Sequence, residues 1–245
     1  FEQAMRQLGG SAIVATAGDM QLGRGESVAD TARVLSRFVD GVMIRANAHG
    51  TVTEFAANAD IPVINGLTDY NHPCQIMADL QTLEEQGRDL KDLRLTWVGD
   101  GNNVAMSFIN AASKFGYHLT ISTPQGYGVK GQMVERARAE GANVTLIEDP
   151  KKACTDADVV IADTWVSMGD EDIDQRMSDL GDWQVNDDLM DKSAQDSLFL
   201  HCLPAHRGEE VSAEVMDDVD SVVWDEAENR LHAQKALLEF LMHKK

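Results

Sequence analysis

The side chains best suited to chemistry fall in a few short stretches. Phe199-Leu200-His201-Cys202-Leu203-Pro204-Ala205-His206-Arg207-Gly208 starts apolar and breaks at once into His, Cys, Leu and Pro. It reads as the end of a buried strand. Ligands in open α/β sheets bind where strands end, so a thiol and an imidazole delivered there are placed to meet a small molecule. A plainer role also exists, with Cys202 a small buried hydrophobe and His201 satisfied in the core. A second Pro-Cys stretch far upstream, His72-Pro73-Cys74-Gln75, shifts the balance towards chemistry. His72 and Gln75, at i and i+3, share one helix face. Both can donate hydrogen bonds to an oxygen on which charge builds.

Two cations accompany that face. Arg45 ends an apolar run and suits a phosphate or a polarised carbonyl. Arg230, in Glu226-Ala227-Glu228-Asn229-Arg230, opens the last helix and adds a second positive charge. Both could equally be solvated. Gly99-Asp100-Gly101-Asn102-Asn103 follows a strand and opens a helix. A dinucleotide site would need a third glycine and an acid about 20 residues on, and neither is present. The stretch is either a tight turn with an Asn cap or a receptor in which helix amides and Asn103 take a carboxylate. Asp163-Thr164-Trp165-Val166-Ser167-Met168-Gly169 follows another strand, and Asp163 is either an ordinary turn acid or the partner of an ammonium group. Anion receptor, cation receptor and thiol together suit an amino acid with a second amine.

The elements that must position these residues alternate. Helices are expected at Phe1 to Leu8, Ser27 to Phe38 (with Ser27 as N-cap), Thr51 to Ala59 and Asn71 to Glu85. Further helices are expected from the Gly-Asn turn to Phe115, at Gln132 to Ala139, at Pro150 to Cys154 and at Ala227 to His243. Strands are expected at Ser11 to Thr16, Gly41 to Arg45, Ile61 to Asn65, Leu93 to Val98, Tyr117 to Ser122, Asn143 to Ile147, Val159 to Ala162, Ser197 to Cys202 and Ser221 to Trp224. Asp19 to Gly25 reads as a polar loop, and Asp170 to Asp188 as a mobile acidic one. Alternation of this kind predicts an α/β fold with parallel sheets. We expect two doubly wound domains facing a cleft, with a boundary near Leu83 to Lys91 and the C-terminal helix returning to the first domain. The segments are 1–85, 86–225 and 226–245.

Composition narrows the function. The 245 residues carry a net charge of -20, from 41 acidic and 21 basic side chains. That excludes a phosphate-backbone binder, which needs a basic stripe. The three cysteines are unpaired in spacing and predict a reducing, cytoplasmic setting without a disulfide framework. No Cys-x-x-Cys or His-x-x-x-His spacing supports a metal site. No apolar run approaches the ~20 residues needed to span a bilayer.

His72-Pro73-Cys74-Gln75, Asp163 to Gly169, His201-Cys202-Leu203-Pro204, Gly99 to Asn103 and the ending Trp224 to Arg230 together resemble motifs of the ornithine carbamoyltransferases, in order and over essentially the whole chain. The resemblance implies carbamoyl transfer from carbamoyl phosphate to the δ-amine of ornithine, giving citrulline and phosphate. It also implies a place in arginine biosynthesis, no metal or organic cofactor, and homotrimers or multiples of trimers. Arg45, His72, Gln75, Cys202, Leu203 and Arg230 are expected to hold carbamoyl phosphate. Asn103, Asp163, Ser167 and Met168 are expected to hold ornithine. Cys202, His72, Arg45 and Asp163 are expected to carry catalysis. The family's Ser-Thr-Arg-Thr-Arg phosphate loop precedes a helix beginning Phe-Glu, and this sequence begins Phe1-Glu2. The expectation is therefore of an N-terminally truncated member, weakly active or inactive alone. Acceptors other than ornithine, or a non-catalytic binding module, remain the alternatives.

Overall fold

The computed structural model describes residues 1–16, 18, 25–167 and 171–242. These form two compact units, Phe1–Ala78 with Asn229–Lys245, and Asp79–Glu228.

In the first unit, β1 (Val42–Arg45) and β2 (Val63–Leu67) pair in parallel. Helices α1 (Glu2–Gln7), α2 (Val28–Leu35) and α3 (His49–Asn58) accompany them. Ser27 caps α2 as expected, its side chain accepting from the Asp30 amide at 3.1 Å. Helix α4 (Pro73–Glu85) begins in this unit, and α11 (Val223–Met242) ends in it. The unit's core joins Ala4 of α1, Ile64 of β2, Cys74 of α4 and Leu238 of α11, so the C-terminal helix does return to the first unit.

The second unit holds a five-stranded parallel sheet in the order β5-β4-β3-β6-β7. Its strands are β3 (Arg94–Val98), β4 (His118–Ser122), β5 (Asn143–Leu146), β6 (Val159–Ala162) and β7 (Leu198–His201). β6 and β7 are buried throughout and apolar except for His201, as parallel strands covered on both faces should be. Helices α5 (Asn103–Phe115), α6 (Gly131–Ala139) and α7 (Pro150–Ala153) link the first strands. The chain runs outward from β3 through β4 to β5, then returns to β6 on the other side of β3. The order therefore reverses between β3 and β6, the place where doubly wound sheets bind ligands.

Three expected elements differ. Residues 11–16 form no strand among the described residues, and Ile13 is 84% exposed. A β-branched run makes a strand only with a neighbouring strand to take its hydrogen bonds. Ser221 to Trp224 supplies a single bridge, Ser221 to Phe199, before α11 starts at Val223. Asp225 and Glu226 in the first turn suit a helix N-terminus, which draws negative charge. Residues 171–188, expected as a loop, contain α8 (Ile173–Leu180), a 3-10 turn (Gly181–Trp183) and the start of α9 (Asp187–Met190). Side-chain anchors order this polar segment. Arg176 pairs with Asp100 at 2.6 Å and donates to the Trp165 carbonyl at 2.7 Å, and Trp183 Nε1 donates to Ser122 Oγ at 3.0 Å. A short helix α10 (Ala213–Met216) completes the unit. Residues 19–24, Met168 and Asp170 lie outside the described residues.

Candidate active site

In the first unit the end of β1 brings a cation, and the turn after β2 brings an imidazole. Arg45 is the last residue of β1 and exposed. β2 ends at Leu67, and the turn Thr68 to Asn71 then delivers His72 to the start of α4. That turn is built on the buried Thr68. Its backbone amide donates to the Asn71 carbonyl at 2.9 Å, and its Oγ1 lies 3.0 Å from His49 Nδ1. His72 is only 6% exposed. Burial first, and then the charges of Arg230 and Arg45, push its imidazole down to about 3. It is therefore neutral near pH 7, a hydrogen-bonding group without charge. Gln75, one helical turn on, is buried and accepts from Arg230 Nη1 across to α11. Arg45, His72, Gln75 and Arg230 thus form one group in this unit.

In the second unit the polar residues gather at the switch point. Asp163, just beyond β6, is 8% exposed. Its two oxygens accept from Asn102 Nδ2 at 2.6 Å, from the Thr164 amide at 2.8 Å and from Cys202 Sγ at 2.9 Å. Asn102, just beyond β3, caps α5 with its other side-chain atom, which accepts from the Val104 and Ala105 amides. Asn103 is the first residue of α5. Sequence reasoning singled out Asn103 and passed over Asn102. The signal was the doublet itself, since an Asn before an apolar helix is a cap and a capped turn can spare its amide for a neighbour. Ser167 stands partly buried four residues beyond Asp163, and Met168 lies outside the described residues.

Cys202 follows β7 and is partly buried. Burial, then the negative charge of Asp163 and the hydrogen bond to it, push the thiol well above its ordinary value. The next residue, Leu203, sits at φ 54, a left-handed conformation that costs a Cβ-bearing residue energy. Its amide donates to His201 Nδ1 at 3.0 Å, so Nε2 carries the proton and faces Glu210 Oε1 at 3.2 Å. Both side chains of that pair are fully buried. Burial pushes Glu210 up, but hydrogen bonds from His201 and the His206 amide outweigh it and hold the carboxyl below its usual range. Neither His201–Glu210 nor the buried pair Asp79 and Glu226 stood out in the sequence, because each joins residues on separate elements. Asp163, His201 and Cys202 place one potential metal-ligand atom each within 4.8 Å of one another. Those atoms are already engaged in the hydrogen bonds just described, so the set reads as a polar network rather than a metal cage.

Residues 1–85 match the family described as aspartate/ornithine carbamoyltransferase, carbamoyl-P binding domain, and residues 91–241 match the Asp/Orn binding domain of the same family. The chain belongs to the aspartate/ornithine carbamoyltransferase family. Among its relatives, an ornithine carbamoyltransferase of Caulobacter vibrioides is 58% identical over 240 residues, covering 97% of this chain and 76% of that protein. One from Nitrosococcus oceani is 53% identical over 243 residues, covering 99% and 79%. The solved ornithine carbamoyltransferase of Pyrococcus furiosus superposes with a TM-score of 0.95 at 47% identity, covering all of this chain and 80% of that one. In family terms, Arg45, His72 and Gln75 fall in the carbamoyl-phosphate segment. Asn103, Asp163, Ser167, Cys202, Leu203 and Arg230 fall in the segment matched to the Asp/Orn domain.

Proposed function

We propose that this chain is an ornithine carbamoyltransferase, moving the carbamoyl group of carbamoyl phosphate to the δ-amine of L-ornithine to give L-citrulline and phosphate. Asp163 carries the choice of acceptor: a nearly buried carboxylate at the sheet's switch point receives an ammonium group. An aspartate acceptor would present a second carboxylate and call for a cation there instead.

Arg45, Gln75 and Arg230 hold carbamoyl phosphate, with Cys202 and Leu203 also against it. His72, neutral at working pH, donates to the carbonyl oxygen. As the amine attacks, negative charge builds on that oxygen, and one such donor is worth about 3–4 kcal/mol of transition-state stabilisation. The carbonyl carbon gains the C–N bond, and phosphate leaves with the C–O bond pair and takes up the proton that the attacking amine sheds. The amine must arrive without its proton, although an alkyl ammonium has a pKa of about 10.4. Asp163 fixes the α-ammonium, Asn103 the α-carboxylate, and Ser167 and Met168 line the rest of ornithine. Cys202, kept protonated by burial and by Asp163, donates its one proton to Asp163 and positions that carboxylate, and is not a thiolate base. No metal or organic cofactor enters these steps. Residues 1–85 serve as the carbamoyl-phosphate domain, 86–225 as the ornithine domain, and 226–245 as the returning helix. A cytoplasmic homotrimer, or a multiple of it, in arginine biosynthesis completes the proposal.

Comparing acceptors in a citrulline colour assay tests it. Ornithine should exceed putrescine and aspartate by at least a hundredfold in kcat/KM, because putrescine lacks the α-carboxylate that Asn103 receives. Equal turnover of putrescine would remove Asn103 from its role.

A further inference from the structure

Behind the Cys202 turn lie two buried acids that the reaction above does not use. Asp79 on α4 is 2% exposed and Glu226 on α11 is 1% exposed. Their carboxyls are hydrogen-bonded to each other. Two carboxylates in contact and out of water cannot both ionise, so the bond between them requires a shared proton. Glu226 Oε2 also accepts from the His201 backbone amide at 2.9 Å. His201 is the residue before Cys202, and Phe199, two residues earlier, takes the bridge from Ser221. The amide is thus the last backbone group of β7 before the chain turns into Cys202 and the left-handed Leu203.

We infer that Asp79 and Glu226 form a positioning pair: the Glu226 carboxyl, held by its hydrogen bond to Asp79, grips the His201 amide and so sets where Cys202 and Leu203 stand. The consequence for catalysis rests on the reaction proposed above; the pair itself does not. Burial first, then the charge of Asp79 and the hydrogen bond to it, push Glu226 well above its ordinary range, and Asp163 adds to the rise. The other titratable groups in the same field are the Cys202 thiol and the Tyr117 phenol, both pushed upward by burial first and by Asp79 among the charges. Folding therefore takes up a proton at Glu226 above pH 4.5, where the unfolded chain has released it. Stability from this proton is full below that pH and is lost as pH rises towards the folded value.

The test uses the whole protein and two readouts that need no turnover. Glu226→Gln keeps an oxygen for the His201 amide and supplies an amide N–H to Asp79 in place of the shared proton. From pH 5 upward, the wild-type folding constant should fall relative to Glu226→Gln, by up to about tenfold per pH unit for one proton. Asp79→Asn should flatten the slope in the same way. The second readout is alkylation of Cys202 by iodoacetamide, located by mass spectrometry. Glu226→Met, of similar volume but without an oxygen, should alkylate at least threefold faster than wild type, and Glu226→Gln should stay within twofold. A wild-type pH slope in both amide variants overturns the shared proton. Equal alkylation of the Gln and Met variants overturns the positioning role. If Glu226→Met does not fold, the two amide variants still decide the slope. A protein that passes both readouts yet forms no citrulline would refute the proposed reaction and leave the pair standing.

Discussion

Burial and the Asp163 carboxylate keep the Cys202 thiol protonated, 2.9 Å from Asp163 Oδ1. A thiol in that state packs, donates and positions. The packing role and the chemical role differ in what a small truncation does. At a packing site Cys202→Ala would cost about 1 kcal/mol of stability and leave the kinetics alone. At the acceptor site it should lower kcat or raise the ornithine KM by tenfold or more, with a nearly unchanged melting temperature. Carbamoyl phosphate and ornithine together should also slow its alkylation. Unchanged kinetics together with no substrate protection would return Cys202 to the core and leave Arg45, His72 and Asp163 to carry the chemistry.

Strand ends and the turns after them carry the candidate site, and the turn after β3 is the tightest. A Cβ on Gly101 would lie 2.5 Å from the Val129 amide nitrogen and 2.7 Å from the Tyr127 carbonyl oxygen. Both are backbone atoms, and the Gly101 amide already donates to that carbonyl at 2.8 Å. Gly101→Ala must therefore push the loop away, dragging the Asn102 cap and its grip on Asp163. We expect a loss of about 1–3 kcal/mol and a raised ornithine KM. Gly131→Ala, with nothing near its Cβ position, is the control and should change neither. Matching KM values for the two variants would detach the loop from acceptor binding.

At the scale of the molecule, buried ionisable groups make stability depend on pH. His72 is depressed to about 3 in the folded state, against 6.5 ordinarily. Between those values the unfolded chain binds a proton that the folded chain refuses. Stability is therefore full above pH 6.5 and declines as pH falls, by about 1.4 kcal/mol per unit from this group. His72→Gln should flatten the decline in urea-denaturation free energy between pH 6.5 and 4. An identical acid limb in the variant would mean that His72 is not held neutral. The Asp79–Glu226 pair acts with the opposite sign at higher pH, and the net charge, -20 at pH 7, adds a diffuse repulsion that fades as pH falls towards the pI of about 4.5.

The sequence by itself determined the α/β class, most element positions and the residues that could do chemistry. Apolar runs of four or five residues between helical periods read directly as buried parallel strands, and Ser27 announced its own helix. It also showed Arg45 at the end of an apolar run and held His72, Asp163 and Cys202 in recognisable motifs, because each stands next to a strand or helix end that local pattern reveals. Where pattern misled, the deciding forces were not local. Residues 11–16 have strand composition but join no strand among the described residues, and the polar stretch after residue 170 is ordered by Arg176 and Trp183 reaching other elements. Only the tertiary structure decided that Asn102 braces Asp163, that His201 is pinned to Glu210, and that Glu226, paired with Asp79, takes the His201 amide. Asp79 and Glu226 lie 147 positions apart in the chain. Only folding brings such groups within reach of each other's charge, and in the low dielectric of the interior that proximity determines which of them keeps its proton.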